Sequence, residues 1–100
     1  MQIKMHSVRF DADEKLIGVV EDKLQKLEQF HDRIISSEVF MRLEHDSVER
    51  ENKVVEIKLN LPGKDLFAKK NSKSFEDAAD QTIEALRKQL IKHKEKVQDH

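Results

Sequence analysis

The residues with the clearest chemical potential are the basic side chains near the carboxyl end of the sequence. Positions 87–96 carry five basic residues and one acidic residue, Glu95. The basic residues are Arg87, Lys88, Lys92, Lys94 and Lys96. Lysine offers phosphate a compact positive charge, and arginine can donate to two phosphate oxygens at once, so this pattern is typical of a surface that binds a nucleic-acid backbone. The alternative is a solvated helix end whose cations offset the helix dipole, as charge runs usually do.

Helical spacing separates these basic residues from the apolar core. With Leu90 at the buried centre and about 100° per residue, Lys88 and Lys92 point nearly opposite the core, one turn apart. Arg87 and Lys94 lie about 40–60° to one side of Leu90. We therefore predict an exposed basic ridge on this helix. Its candidate phosphate-binding residues are Arg87, Lys88, Lys92, His93, Lys94 and Lys96.

Two further lysines, Lys23 and Lys26, lie beside an apolar stripe in the first half of the chain. They are candidates for the same phosphate-binding role. Glu21, Asp22 and Glu28 surround them, so ion pairs between residues four apart on the helix surface are an equally good interpretation.

The sequence gives little support for catalysis or metal binding. The five histidines lack the paired spacing of a metal site, and cysteine is absent. With only two glycines, the chain offers no nucleotide-binding loop or nucleophile elbow. The acidic pair Asp11 and Asp13 is explained by helix capping. We therefore predict no metal site, no cofactor and no enzymatic activity.

The length and composition of the chain predict a single-domain protein that is located in the cytoplasm. One hundred residues suit a single core, and the absence of cysteine fits a reducing compartment. The first residues lack the apolar centre of a signal peptide, and no stretch approaches the roughly 20 apolar residues of a membrane span. A net charge of −1 argues against a protein that binds nucleic acid over its whole surface. Positions 64–100, however, carry nine basic and seven acidic residues. A local patch, rather than the sum, decides binding to phosphate.

The first half of the chain predicts a strand, a helix and a second strand. The strand covers Ile3–Phe10, and the helix begins at Asp11 as N-cap, with Glu14 in the capping-box position. The apolar stripe of this helix consists of Leu16, Val20, Leu24, Leu27 and Phe30, which we assign to the core. Alternating apolar and polar residues from 35 to 43 then predict a half-buried strand.

The second half predicts two strands and a helix. Alternation marks a long strand at 55–61, Pro62 and Gly63 form a turn, and Leu66–Lys70 returns antiparallel. Ser74 caps a helix with the stripe Ala79, Ile83, Leu86, Leu90 and Val97. The order β-α-β-β-β-α predicts a two-layer α+β domain with a four-stranded sheet and both helices on one face. Phe40 and Phe67 fall on the polar phase of their strands, which suggests exposure or cross-strand packing.

Two segments resemble the short ribosome hibernation promoting factors, also called ribosome-associated translation inhibitors, of the sigma-54 modulation protein family. The segment 26–34, KLEQFHDRI, resembles the end of that family's first helix, and 87–96, RKQLIKHKEK, resembles its basic second-helix ending. Asp80, Leu86 and Gln89 also match the family pattern. The resemblance covers essentially the whole chain in the same element order.

The resemblance implies a fold similar to a double-stranded-RNA-binding domain and a role in ribosome hibernation. A family member would bind ribosomal RNA of the small subunit, in the channel for mRNA and tRNA, and inhibit translation in starvation or stationary phase. Longer relatives carry a C-terminal dimerisation domain that is not expected within residues 1–100, so ribosome pairing would need a separate dimerising factor. No membrane or small-molecule substrate is implied. The near-zero net charge favours an alternative, a protein-interaction module that modulates a regulatory protein.

Overall fold

The computed structural model describes residues 1–31, 33–44 and 51–98, with side chains through Lys94 in the last segment. It contains four strands and two helices in the predicted order. They are β1 (Gln2–Val8), α1 (Glu14–Phe30), β2 (Ser36–Leu43), β3 (Lys53–Leu61), β4 (Lys64–Ser72) and α2 (Phe75–Gln98). The predicted α+β fold class is confirmed.

The strands form one mixed sheet in the spatial order β1-β2-β3-β4. β1 and β2 are parallel because the helical crossover α1 returns the chain to the same end of the sheet. β2, β3 and β4 are antiparallel neighbours. The predicted turn at Pro62 and Gly63 joins β3 to β4, with Leu61 paired to Lys64 and Gly63 at a φ of 77°, which favours glycine.

Both helices cover the same face of the sheet, as predicted. Val20 and Leu24 of α1 and Leu86 and Leu90 of α2 are fully buried in one core with alternate residues of the strands. The strand residues of this core include Val39, Met41, Ile57, Leu59, Leu66 and Ala68. The opposite face of the sheet carries no helix in the described part of the chain.

Local features differ from prediction at three places in the first half. β1 ends at Val8 rather than Phe10, because Arg9 adopts a left-handed φ of 69° that breaks the strand. The N-cap of α1 is Asp13 rather than Asp11, since the Leu16 N–H donates to Asp13 Oδ1 at 2.8 Å. Ile35, expected on the buried side of its strand, precedes β2 and is 59% exposed.

The predicted core assignment of Phe30 is wrong. Its side chain is 41% exposed, whereas His31 is buried at the end of α1. Around the helix axis Phe30 lies about 80° from Val20, but His31 lies only about 20° from it. The apolar stripe therefore continues through the histidine, and the phenylalanine ring is displaced to the edge of the buried face.

Hydrogen bonds fix α2 against the sheet. The predicted cap is confirmed, since the Asp77 N–H donates to Ser74 Oγ at 3.1 Å. The buried hydroxyl of Thr82 lies between two carbonyl oxygens, 2.7 Å from that of Ala78 in α2 and 3.1 Å from that of Val55 in β3, and it donates its single proton to this pair. Gln89 Nε2 donates to the Phe67 carbonyl oxygen at 2.9 Å, satisfying an acceptor of β4, the last strand of the sheet.

The two helices run in the same direction across the sheet. Phe10, just before α1, stacks on Phe75 at the start of α2, with ring centroids 4.3 Å apart. Further along, Lys23 Nζ lies 2.6 Å from Asp80 Oδ1. At the far end the rings of His31 and His93 are 6.3 Å apart. The carboxyl-terminal parts of both helices therefore lie together at one end of the domain.

Candidate nucleic-acid interface

Charge is strongly segregated along the helical layer. The amino-terminal parts, positions 11–22 and 73–80, carry eight acidic and two basic residues. The carboxyl-terminal parts, 23–31, 33 and 81–94, carry seven basic and two acidic residues. Helix dipoles favour this arrangement, and because the helices run in the same direction their charge gradients add. Although the net charge of the chain is near zero, one end of the helical layer is therefore basic. This basic end is formed by Lys23, Lys26, Arg33, Arg87, Lys88, Lys92 and Lys94.

The centre of the basic end is an exposed lysine ridge on α2. Lys88 and Lys92 are exposed and lie opposite the fully buried Leu90. Lys94 is exposed as well. None of the three forms an ion pair with a side chain that the structure describes. These lysines are therefore available to a bound anion. The side chain of Lys96, the remaining lysine of the predicted ridge, lies outside the described residues.

Arg87 differs from these lysines because it is paired within its own helix. Its Nε and Nη2 donate to the two carboxylate oxygens of Glu84 at 3.0 and 2.6 Å. The hydrogen bond from Arg87 lowers the pKa of Glu84, and the reciprocal hydrogen bond and charge attraction raise the pKa of Arg87. A phosphate that approaches Arg87 must share the guanidinium with Glu84 or displace it.

The two lysines of α1 have different environments. Lys23 pairs with Asp80 of α2, so its partner lies on the other helix rather than among the acids of its own. Lys26 is exposed and has no ion-pair partner in the described part of the chain. Of the two, Lys26 is the one that can bind an anion without breaking an existing contact.

His93 does not project fully to solvent. It is partly buried, and its ring lies tilted against the buried ring of His31 where the two helices meet. For the predicted contact with His93, a phosphate must therefore approach along the junction between the helices, rather than from the exposed side of α2 that carries Lys88 and Lys92.

A groove between α1 and α2 opens beside the basic end, with a volume of about 300 Å³. Its residues are Lys23, Lys26, Leu27, Phe30, Asp80, Ile83, Glu84 and Arg87. The sequence did not predict this groove, because it forms only where the two helices pack side by side. The one available signal was the angular offset of Phe30 from the rest of its stripe.

The outer face of the sheet has a different character. His6, Phe40, Glu56 and Lys69 form one row across the four strands. His6 stacks on Phe40 with ring centroids 4.7 Å apart, and its Nε2 lies 2.8 Å from Glu38 Oε2. Phe40 is therefore packed across the strands rather than fully exposed.

Most cations of this outer face are already paired. Arg42 and Lys69 share the carboxylates of Glu44 and Glu56, and Lys58 Nζ lies 3.6 Å from Asp65 Oδ2. Phe67 is 54% exposed beside them. The lysines available to an anion are thus more concentrated at the basic end of the helices than on the sheet.

Within residues 1–31, 33–44 and 51–94, no three histidines or carboxylates come close enough together to bind a metal ion. Neither described helix has the length and apolar character needed to cross a membrane.

Comparison with protein families gives a match over residues 3–98 to the model described as Sigma 54 modulation protein / S30EA ribosomal protein. The chain belongs to this family. The family consists of ribosome-associated factors and is not a known enzyme family. The match spans both helices and, apart from Gln2, all four strands, so the basic end and the groove lie within the family domain.

Relatives of known function agree with this assignment, and two solved structures share the fold. The chain is similar to the ribosome hibernation promoting factor of Azotobacter vinelandii, 33% identical over 96% of this chain and 85% of the relative. The factor of Escherichia coli strain K12 is 31% identical over 100% of both chains. A ribosomal subunit interface protein from Coxiella burnetii has the same fold, with a TM-score of 0.84 at 24% identity, covering 94% of this chain and 98% of the other. The N-terminal domain of Thermus thermophilus Protein Y has a TM-score of 0.77 at 22% identity, covering 89% and 94%.

Proposed function

We propose that this protein is a ribosome hibernation factor that binds the small ribosomal subunit in its mRNA and tRNA channel and inhibits translation in starvation or stationary phase. The names of its relatives support the hibernation role. The observation that carries the proposal is the concentration of seven basic against two acidic residues at one end of the helical layer, counted over the described positions 23–31, 33 and 81–94. A ribosome presents a dense array of RNA phosphates, to which such a surface is complementary.

The contacts that we propose are electrostatic. Lys88 and Lys92 lie about 6 Å apart along the helix axis, so they can reach neighbouring phosphates of one RNA backbone. Lys26 and Lys94 extend the surface on either side. Each neutralised phosphate releases condensed counterions, which supplies free energy of binding and makes it depend on salt. A second group of contacts consists of side chains that already touch other groups of the protein, namely Arg87, His93 and Lys23. Lys96 is included because of its position in the sequence alone.

The inhibition that we propose is steric. The chain acts as one ribosome-binding domain whose rigid two-layer body occupies space that mRNA and initiator tRNA would need. This mechanism requires no catalytic group, no cofactor and no small-molecule substrate. It places the protein in the cytoplasm with the ribosomes.

Reversing the charge of the ridge tests the proposal. In the Lys88→Glu/Lys92→Glu double variant, co-sedimentation with small subunits at low salt should be lost, because two favourable phosphate contacts become repulsive. Both side chains are exposed, so the circular-dichroism spectrum should remain that of the wild type.

A matched control carries the same change in net charge elsewhere. Lys15→Glu/Lys73→Glu alters two exposed lysines, one in the first turn of α1 and one just before the Ser74 cap of α2, both at the acidic end of the helical layer. This control should co-sediment like the wild type. Equal binding by the ridge variant and the wild type would contradict the proposed interface, whereas equal loss in both variants would show that only net charge matters.

A second candidate function is a module that binds and modulates a regulatory protein. It is favoured by the exposed ring of Phe67 on an outer sheet face whose cations are mostly paired, as expected for a protein contact rather than an RNA contact. A sucrose-gradient profile of stationary-phase lysate separates the two functions. A hibernation factor travels with the small subunit, and the alternative stays at the top of the gradient.

A further inference from the structure

We propose that the groove between α1 and α2 binds a single unpaired nucleotide of RNA, with its base stacked on Phe30 and its phosphate bound by Lys26. This inference rests on the proposed function, since it places RNA at the same basic end. It adds a base-stacking pocket to a surface that otherwise contacts only phosphates.

The apolar part of the groove provides a stacking surface. Leu27 is buried, Ile83 is partly buried, and Phe30 remains 41% exposed although its helix packs against a core. An exposed aromatic ring in a concave site is a favourable surface for an unstacked base. The groove volume of about 300 Å³ lies at the lower end of the range for sites that bind small molecules. One base with its sugar is a suitable occupant of such a site.

The charged part of the groove is complementary to the rest of a nucleotide. Three cations and two carboxylates line it, and Lys23 and Arg87 are paired with Asp80 and Glu84. Lys26 is left as the cation that has no partner among the described residues. It therefore supplies the positive charge that a phosphate requires, and it lies four residues before Phe30, about one helical turn away.

The paired groups also match the edge of a base. Carboxylates such as Asp80 and Glu84 accept hydrogen bonds from the amino groups of cytosine, adenine or guanine. Lys23 and Arg87 can donate to base carbonyl groups. An apolar peptide segment would cover the Lys23–Asp80 and Arg87–Glu84 pairs without offering them further hydrogen bonds, so the charges favour a nucleotide over an apolar peptide.

Tryptophan fluorescence tests this inference directly, because the chain has neither Trp nor Tyr. The Phe30→Trp variant of the full chain carries one fluorophore in the groove. Titration with a short single-stranded oligoribonucleotide should quench its emission, since a stacked base quenches indole. An abasic strand of the same length offers the same phosphates without bases and should leave the emission unchanged. The Phe67→Trp variant places the fluorophore on the outer sheet face and should show no quenching.

Affinity for small subunits supplies the second measurement. Phe30→Leu keeps an apolar side chain but removes the aromatic face, so it should weaken binding to small subunits about 5- to 100-fold. Phe67→Leu is the matched control and should bind like the wild type. Thermal unfolding of both variants verifies that they are folded.

The outcomes separate this inference from the proposed function. If wild type and Phe30→Leu bind subunits equally and Phe30→Trp is not quenched by RNA, the nucleotide pocket is refuted while ribosome binding stands. If RNA quenches Phe30→Trp but the wild type does not bind subunits, the pocket stands and the hibernation role fails. Two other results would also refute the nucleotide pocket. One is loss of subunit binding by Phe30→Leu when RNA does not quench Phe30→Trp, and the other is equal quenching of Phe30→Trp by the abasic strand. The loss without RNA quenching would assign the groove to a protein segment of the ribosome.

Discussion

Replacing Glu84 by glutamine tests whether Arg87 can join the phosphate-binding surface. In the folded protein Glu84 accepts two hydrogen bonds from the Arg87 guanidinium. The Glu84→Gln variant keeps the size of the side chain but removes its charge. We expect this change to release the guanidinium for phosphate and to increase the affinity for small subunits. The pair is exposed, so the fold should be unaffected.

The magnitude follows from counterion release. Each phosphate neutralised by the protein changes the slope of log K against log salt by about −0.7 to −0.9. Lys26, Lys88, Lys92 and Lys94 have no ion-pair partner among the described residues, whereas Arg87 is held by Glu84, so the variant would add one fully available cation to the surface. The slope should therefore steepen by about 0.7–0.9. Between 200 and 50 mM salt, the affinity advantage of the variant should grow about threefold.

The assay is a titration of labelled protein with purified small subunits at several salt concentrations. Glu76→Gln is the matched control, because it removes the same charge from an exposed position in the first turn of α2, at the acidic end. The control should leave the slope unchanged. An unaltered slope for Glu84→Gln, or weaker binding than the wild type, would refute the inclusion of Arg87 and leave it as an intrahelical ion pair.

Two further predictions concern the scaffold, measured by urea unfolding. Asp13→Ala should lower the free energy of unfolding by about 1 kcal/mol because the Leu16 N–H loses its acceptor, and Asp11→Ala should change it by less than about 0.5 kcal/mol. Equal effects of the two changes would contradict the observed cap. Gly18→Ala should stabilise the protein by about 0.5–1 kcal/mol, since an added Cβ meets nothing within 4 Å inside the helix. Gly63→Ala should destabilise it by about 1–2 kcal/mol because its φ is 77°, and a stabilising effect there would refute the turn geometry.

The fold was largely predictable because its signals are local. Alternation from Val55 to Leu61 and the Pro62–Gly63 turn identified β3 and its antiparallel return in β4. The periodicity of four and three residues identified both helices, and Ser74 marked the start of α2. Such patterns record which side of an element is buried, so the element order and the two-layer arrangement followed from them.

The boundaries were less predictable, since neighbouring residues offer similar chemistry. Asp11 and Asp13 can both cap a helix, and only the path of the chain after Arg9 selected Asp13. Phe30 is more apolar than His31 and was the natural choice for the core. Helix geometry nevertheless placed His31 on the buried side, because the angular position of a residue outweighs its type.

The sequence by itself determined the elements, the shared core and the basic composition of the second helix, because each depends on residues close together in the chain. Only the tertiary structure decided which charges meet. The common direction of α1 and α2 aligned two charge gradients, paired Lys23 with Asp80 and opened the groove around Phe30. Contacts between distant elements depend on how whole helices pack, and no local spacing encodes that arrangement.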